Sequence, residues 1–213
     1  EWDLGKLTRH CGSVHRRVAH IITTRSLDRV ASRDVELALP AQRTGLPAWL
    51  AAGASPLRAA LAADPETRVW TWAPGGTVAW WARRMLHETT VHRADAQLGV
   101  GIEPEVDPSV ATDGIEEFLT NLPAFALDNI KGLGAGESLH FHATDEPGEW
   151  TIQLTGAGFT WAADHGKATV ALRGRLTDLL LLCYGRRRPH DRDRFEVFGD
   201  LAVAERWFAA TQL

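Results

Sequence analysis

The segment "WWARRMLHETTVHRADAQLG", residues 80–99, contains three residues of types that bind metal ions: His87, Glu88 and His92. It differs from the helical zinc motif H-E-x-x-H because its second histidine comes one residue later. On a helix with about 100° per residue, His87 and His92 point about 140° apart and cannot share one ion. Glu88 and His92 are four residues apart on one helix face, and Asp95 continues that face. The spacing excludes the metalloprotease motif and leaves two interpretations: a metal-chelating Glu88–His92 pair, or a hydrogen-bonded pair without metal.

A metal site needs a further ligand, and the first predicted helix offers two histidines. His10 lies between Leu7 and Val14, close to the apolar stripe of that helix, so its side chain can face the bundle interior. His15 comes five residues later, and one helix cannot direct both histidines to the same ion. For each of them, an ordinary partly buried or surface histidine is the alternative interpretation.

The first predicted helix runs from Asp3 to about Thr24. Asp3 is a suitable N-cap, and Trp2 and Leu7 are placed as a hydrophobic staple around it. Apolar residues recur every three or four positions, as expected for a helix packed on one face. This stripe consists of Leu4, Leu7, Cys11, Val14, Val18 and Ile21.

Two more helices are predicted in the first half of the chain. In "SPLRAALAAD", Ser55 is a candidate cap and Pro56 a candidate first helical residue, which is a position that proline favours. The third helix is expected from about Thr77 to Leu98, after the helix-breaking sequence Pro-Gly-Gly. The pattern therefore indicates part of a helical bundle.

The second half of the chain changes character after the stretch "GVGIEPEVDPSVATDG". A helix is predicted over "IEEFLTNLPAFAL", followed by short segments with period-two alternation that are typical of strands. The predicted strands are "SLHFHATD", "EWTIQLTG", "GFTWAA", "ATVALRG" and "RFEVFG". The predicted helices of this part are "LTDLLLLCYG", before the last strand, and "LAVAERWFAA", at the end of the chain. We predict a helical domain over residues 1–100 and an α+β domain with an antiparallel sheet over residues 101–213.

Composition excludes several classes of partner. With 213 residues and 45% hydrophobic content, the chain can bury one sizeable core or two small ones. The net charge of -4 supplies no basic surface for nucleic acid, and no apolar run of about 20 residues predicts a membrane span.

Cys11 and Cys183 lie far apart in sequence, which favours a reducing, cytoplasmic compartment over a disulfide scaffold. The sequence begins at Glu1 without methionine, so we expect further residues upstream in the gene product.

Two segments together, "WDLGKLTRHCGSVHR" and the one containing Glu88 and His92, resemble the mycothiol-dependent maleylpyruvate isomerase family. In that family a tryptophan precedes a metal-ligand histidine by eight residues, which matches the spacing of Trp2 and His10. The other two ligands form E-x-x-x-H, followed by Asp and then Leu-Gly. The matching residues here are Glu88, His92, Asp95, Leu98 and Gly99. In the second half, "GRLTDLLLLCYGRRRP" resembles a helix of the family's C-terminal domain. The family has a functional arginine directly after the glycine that ends this helix, and Arg186 after Gly185 matches it.

The resemblance implies a DinB-like four-helix bundle, whose first helix would lie upstream of this sequence, followed by the family's C-terminal α+β domain. It implies His10, Glu88 and His92 as ligands of a divalent metal. Two imidazoles and a carboxylate suit Zn²⁺, and Ni²⁺ would also fit. Asp95 could orient His92, and a salt bridge to another helix is the alternative. Arg186 could bind an anionic thiol or substrate, and a surface arginine is the alternative.

The implied function is a mycothiol-dependent S-transferase or isomerase. A metal-bound thiol loses its proton, and the thiolate would attack a small electrophilic molecule. The partners are then this electrophile and a low-molecular-weight thiol, with the protein as monomer or homodimer and without nucleic acid or membrane. Two other functions remain open: a noncatalytic metal- or ligand-binding stress or regulatory module, and metal-dependent hydrolysis with Asp95 or His15 as general base.

His140 and His142 form a separate pair in "SLHFHATD". They alternate with Leu139 and Phe141, so both histidines belong to one face of a strand and the apolar residues to the other. We expect the histidine face to be exposed to solvent, and a second metal site is the alternative. Cys11 adjoins His10, but its place on the apolar stripe predicts a packed thiol and not a nucleophile.

Overall fold

A computed structural model describes residues 3–212 of the chain. The chain forms two compact units that divide between Pro104 and Glu105. Among the described residues, no helix combines the length and the hydropathy that crossing a membrane would require.

The N-terminal unit contains three α-helices within its described residues. They are α1 (Leu4–Thr23), α2 (Leu46–Leu61) and α3 (Val78–Gly99), with 3-10 turns at Ser32–Asp34 and Arg43–Gly45. The predicted cap of α1 is present, because the Asp3 side chain accepts a hydrogen bond from the Lys6 amide at 2.8 Å. Thr77 caps α3 in the same way. The staple residue Trp2 lies outside the described residues, and a four-helix bundle is not confirmed.

The predicted start of α2 is wrong. The helix begins at Leu46, nine residues before the predicted cap Ser55, and Pro56 lies inside it. Proline removes a backbone hydrogen bond from a helix interior but none from the first turn. For that reason the sequence favoured Pro56 as the first residue of a helix. The helix continues through this point because one face is buried along its length. The buried residues of that face are Trp49, Gly53, Leu57 and Ala60.

Helix α1 packs most extensively against α2 and also contacts α3. A glycine permits the close approach of α1 and α2, because a Cβ atom at Gly12 would overlap the Trp49 indole. Arg16, one turn further along α1, lies over the same indole at 4.0 Å from the ring centroid. Its Nη2 atom donates to the Trp49 carbonyl at 2.7 Å. These contacts fix the position of α1 along α2, and therefore the positions of the other α1 side chains.

The core of the N-terminal unit includes Val18 and Ile21 of the predicted α1 stripe, whereas Leu4 at the start of that stripe is 48% exposed. The buried members of this core include Val18, Ile21, Leu57, Val78, Trp81 and Met85. Trp81 is 1% exposed, and its indole N–H donates to the Trp70 carbonyl at 2.7 Å. Burial of an aromatic ring with its N–H satisfied is a stabilising arrangement. Trp81 is therefore a core residue.

The C-terminal unit is an α+β arrangement. The predicted helix over "IEEFLTNLPAFAL" is in fact two helices, α4 (Pro108–Asn121) and α5 (Pro123–Ile130), separated at Leu122 because Pro123 cannot continue the backbone ladder. The remaining elements agree with the predicted segments. They are β1 (Ser138–Ala143), β2 (Glu149–Thr155), β3 (Gly158–Ala162), β4 (Val170–Gly174), α6 (Leu176–Cys183), β5 (Glu196–Gly199) and α7 (Leu201–Ala210).

The predicted antiparallel sheet is wrong in one strand pair. The strand order is β3-β2-β1-β4-β5, and β1 pairs with β4 in parallel, with Leu139 opposite Val170. The other three pairs are antiparallel. The sheet is mixed because the chain, after the β1–β2–β3 meander, returns to the free edge of β1 through residues 163–169. Alternation within each strand carries no information about this return, so the sequence pattern could not predict it.

The two faces of β1 have different surroundings. Leu139 and Phe141 are 0% and 1% exposed, and Phe141 stacks on Phe208 of α7 at 5.8 Å between ring centroids. This face is the core side of the sheet, as predicted. On the other face the prediction of solvent exposure is wrong for His140, which is only 5% exposed.

Candidate metal centre

The structure brings His10, Glu88 and His92 together. Their ligand atoms all lie within 4.8 Å of one another. His10 Nε2 is 3.0 Å and His92 Nε2 is 3.2 Å from Glu88 Oε1. The imidazole rings meet edge to face with centroids 4.8 Å apart. Helix α1 supplies one donor, and consecutive turns of α3 supply the other two, as the four-residue spacing requires.

Asp95 lies behind His92. Its Oδ2 atom is 2.8 Å from His92 Nδ1, which leaves Nε2 directed toward Glu88 and His10. Burial disfavours a charged imidazole, but the hydrogen bonds to Asp95 and Glu88 outweigh burial and raise the pKa of His92 to about 9. A carboxylate behind the imidazole of a metal-binding histidine is a common way to fix its tautomer and ring orientation.

Glu88 is held in its ionised form. Burial alone would raise its pKa, but hydrogen bonds from His10 and His92 and the charge of Arg84 outweigh burial and hold the pKa well below its usual range. Arg84 Nη2 lies 3.3 Å from Glu88 Oε2, one helical turn before it, so the two carboxylate oxygens have separate partners. Arg84 was not among the residues predicted for this site. The four-residue spacing of an arginine before the glutamate is the signal that could have found it.

His15 and Cys11 take other positions on α1. His15 is 8% exposed, and burial lowers its pKa, which favours the neutral imidazole. Its Nδ1 atom has no hydrogen-bond partner among residues 3–212, and it is not a member of the ligand group around Glu88. The thiol of Cys11 is raised in pKa to about 11 by burial and by the Glu88 carboxylate, so it is protonated near neutral pH.

Arg186 lies in the C-terminal unit, directly after helix α6. Gly185 ends the helix with a φ of +76°, a conformation that glycine adopts without strain. The Arg186 amide donates to the Leu181 carbonyl at 2.7 Å, and its Nη1 atom donates to the Tyr184 carbonyl at 2.5 Å. The half-buried side chain is therefore folded back toward the end of its own helix.

The donor set around Glu88 fits a divalent metal ion. Two imidazole nitrogens and one carboxylate oxygen are the three protein ligands found in many catalytic zinc sites, which keep a further position open. The side chains of His10, Glu88 and His92 are 37%, 21% and 13% exposed, so each of the three remains partly accessible to solvent. The same side chains without a metal form a hydrogen-bonded cluster, and the geometry is compatible with both states.

Two solved structures show distant likenesses to this chain. A ubiquinone synthesis protein described as UbiJ-SCP2 is 20% identical, with a TM-score of 0.34, covering 51% of this chain and 93% of that one. The inverting sec-alkylsulfatase Pisa1 from Pseudomonas sp. is 14% identical, with a TM-score of 0.42, covering 64% of this chain and 24% of that one. TM-scores this low identify neither a fold nor a function. No match was found among curated proteins.

Family models match both units. Residues 1–97 match the mycothiol maleylpyruvate isomerase N-terminal domain, and residues 109–206 match the C-terminal domain of the same family. The first match contains all three residues of the ligand group, and the second contains Arg186. The family name points to a mycothiol-dependent isomerase, as the motifs around His10 and Glu88 predicted. The chain belongs to the mycothiol maleylpyruvate isomerase family.

Proposed function

We propose that this protein is a divalent-metal-dependent, mycothiol-dependent isomerase or S-transferase, with His10, Glu88 and His92 as the metal ligands. The observation that carries the proposal is the convergence of two imidazole nitrogens on one oxygen of Glu88, in a chain of this family. Zn²⁺ suits this donor set, and Ni²⁺ is compatible with it.

The surrounding residues prepare the three donors for a cation. Glu88 contributes a full negative charge, and Arg84 occupies its second oxygen, so that Oε1 is directed toward the histidines. Asp95 holds the His92 ring with Nε2 facing the same point. A divalent ion bound there would favour the thiolate form of a thiol at its open position, and the thiolate is the reactive nucleophile.

The thiolate then adds to an electrophilic carbon of a conjugated double bond, and the electron pair of that bond moves to the conjugated carbonyl group. In an isomerase, rotation about the resulting single bond is followed by loss of the thiolate, which restores the double bond in the other geometry. In a transferase the new carbon–sulfur bond persists. No protein nucleophile is needed, consistent with the protonated thiol of Cys11.

Arg186 is proposed to bind an anionic group of the thiol or the electrophile. A guanidinium is a planar, permanently charged group whose paired N–H donors match the geometry of a carboxylate. Arg186→Lys keeps the charge but loses the planar fork. We expect Arg186→Ala to raise KM more than it lowers kcat, with Arg186→Lys intermediate.

The first experiment is elemental analysis of protein purified without a polyhistidine tag. One metal ion should be lost in each of His10→Ala, Glu88→Ala and His92→Ala. His20→Ala is the matched control, because His20 lies on α1 away from the ligand group. Retention of this ion in His10→Ala, with loss in His15→Ala, would transfer the third ligand to His15.

The second experiment is a turnover assay with mycothiol and a panel of electrophiles that includes maleylpyruvate. Isomerised product without a stable adduct supports the isomerase, and a persistent S-conjugate supports the transferase. Thiol binding to the metal-loaded protein with no electrophile consumed would instead support the noncatalytic binding module. Consumption of an ester or amide without thiol would support hydrolysis.

A further inference from the structure

A second group of metal-binding side chains lies in the C-terminal unit. It consists of His140 and His142 on β1, Glu149 at the start of β2, and His165 in the segment between β3 and β4. One donor atom from each of the four lies within 4.8 Å of the others. Nothing in the proposed chemistry of the N-terminal unit uses these residues.

The backbone register explains why three of them meet. His140 and His142 are two residues apart on β1 and share a face of the strand. Glu149 is directly opposite His142 in the antiparallel β1–β2 pair, at a distance where cross-strand side chains interact. The opposite face of β1 carries the buried core residues Leu139 and Phe141. These three donors are therefore held by a rigid part of the sheet.

Sheet topology brings the fourth donor to the same face. Strands β3 and β4 run in the same direction, since β3 and β2, and β2 and β1, are antiparallel and β1 and β4 are parallel. Residues 163–169 must therefore travel back along the sheet and across β2 and β1 to reach the start of β4. The Thr151 hydroxyl donates to the Asp164 carboxylate, which anchors this segment on the β2 face that carries Glu149. His165 follows Asp164 and points into the group.

The distances resemble the coordination sphere of a metal ion. His140 Nε2, His142 Nδ1 and His165 Nδ1 lie 2.9, 3.3 and 2.5 Å from a single atom, Glu149 Oε2. A tetrahedral zinc site with ligands at 2.0–2.1 Å has donor atoms about 3.3 Å apart. Small side-chain rotations would place the four donors around an ion.

Hydrogen bonding alone accounts poorly for this arrangement. A carboxylate oxygen has two lone pairs, whereas three imidazole nitrogens surround Glu149 Oε2. The neighbouring cation in register, Arg173 on β4, lies 3.2 Å from Glu196 and so has its own carboxylate. A divalent cation would accept all four donors at once.

We propose that His140, His142, Glu149 and His165 form a second divalent-metal site, of the four-ligand zinc type. Four protein ligands complete a tetrahedral sphere, which is the arrangement of structural sites, so this ion would stabilise the fold without binding substrate. It would tie residues 163–169 to the β1–β2 hairpin. His165 is the closing ligand, because its side chain is 77% exposed while that of His140 is 6% exposed.

The test is zinc and cobalt titration of the full-length, tag-free protein after chelator treatment. A His10→Ala/His92→Ala double variant removes the first site and should still bind one ion. In that background His142→Ala and Glu149→Gln should each weaken zinc binding by more than about tenfold, since even partners outside the coordination sphere contribute that much. Visible absorption of bound Co²⁺ reports the coordination number. His190→Ala is the matched control, as an exposed histidine of the same unit.

The outcomes separate the two sites. If the double variant binds no ion, or if zinc affinity is unchanged in both His142→Ala and Glu149→Gln, the second site is overturned. If the parent protein binds one ion that is lost only with the His10 and His92 substitutions, the second site is again overturned and the first stands. If that single ion is lost only in His142→Ala, the second site stands and the proposed catalytic metal centre does not.

Limited proteolysis supplies a readout that depends on the segment itself. Trypsin cleavage after the exposed Lys167 should slow when zinc is added to the parent protein but not to His165→Ala, a substitution at an exposed position that leaves the core intact. Cleavage after Lys131, at the end of α5, is the internal control. Equal protection of Lys167 in parent and variant would exclude His165 as a ligand.

Discussion

Replacing Asp95 tests whether His10, Glu88 and His92 form a metal site or only a hydrogen-bonded cluster. Asp95 Oδ2 lies 2.8 Å from His92 Nδ1, and the two side chains are 21% and 13% exposed, so the contact is largely shielded from water. A hydrogen bond with a charged partner contributes about 1.5–3 kcal/mol. Carboxylates behind a ligating histidine typically contribute about 10–100-fold in metal affinity, or about 1.4–2.7 kcal/mol. The two ranges agree.

The two substitutions at Asp95 should differ in size. Asp95→Asn keeps an oxygen that can accept from Nδ1 but removes the charge, so we expect about a tenfold loss of zinc affinity. Asp95→Ala also removes the acceptor and leaves the His92 ring free to turn, and the loss should approach about 100-fold. Asp28→Asn, at an exposed position of the same unit, is the matched control.

Zinc dissociation constants from competition with a chromophoric chelator give the result directly. Circular dichroism and thermal unfolding of the metal-free proteins should first show that all variants are folded. Affinity in Asp95→Ala equal to that in the Asp28→Asn control would refute the reasoning, since Asp95 would then be a structural partner of His92 without influence on an ion.

Three further predictions concern stability and reactivity. Gly12→Ala should lower the free energy of unfolding by about 1–3 kcal/mol in a urea titration, because the new methyl group would collide with Trp49. A variant as stable as the parent protein would contradict the close contact between α1 and α2. Asp178→Ala should cost about 3–5 kcal/mol in the same assay, since it removes the carboxylate 2.8 Å from the buried guanidinium of Arg187. A loss below about 1 kcal/mol, which is typical of exposed ion pairs, would contradict this. Burial raises the pKa of Cys183, so a thiol reagent at neutral pH should label it only after unfolding, and rapid labelling of native protein would contradict its burial.

Local signals in the sequence predicted much of the helical unit. Asp3 and Thr77 cap their helices because short polar side chains accept from free amides, and this chemistry depends only on neighbouring residues. The helical period likewise placed Glu88, His92 and Asp95 on one face. The extent of α2 could not be predicted, because its continuation through Pro56 depends on packing against α1, which is not encoded locally.

The sheet shows where periodicity stops being informative. Each strand was recognisable from its alternation, but pairing of β1 with β4 joins residues about thirty positions apart in the chain. For the same reason His165 had no visible connection with His140 and Glu149. His140 is only 5% exposed, and its ring lies 5.3 Å from that of His165 in the segment between β3 and β4, so the sequence predicted the correct face of the strand and the wrong environment.

The central place of β1 in the sheet has a consequence for folding during synthesis. One edge of β1 is paired as soon as β2 is made, but its other edge has unpaired amides and carbonyls until β4 is made, after the whole of β2, β3 and residues 163–169. Parallel pairing across such a distance closes slowly compared with a hairpin. We therefore expect a nascent chain that stops before β4 to expose an unpaired strand edge. Pairing of this edge with strands of other chains should be the main route by which this unit aggregates.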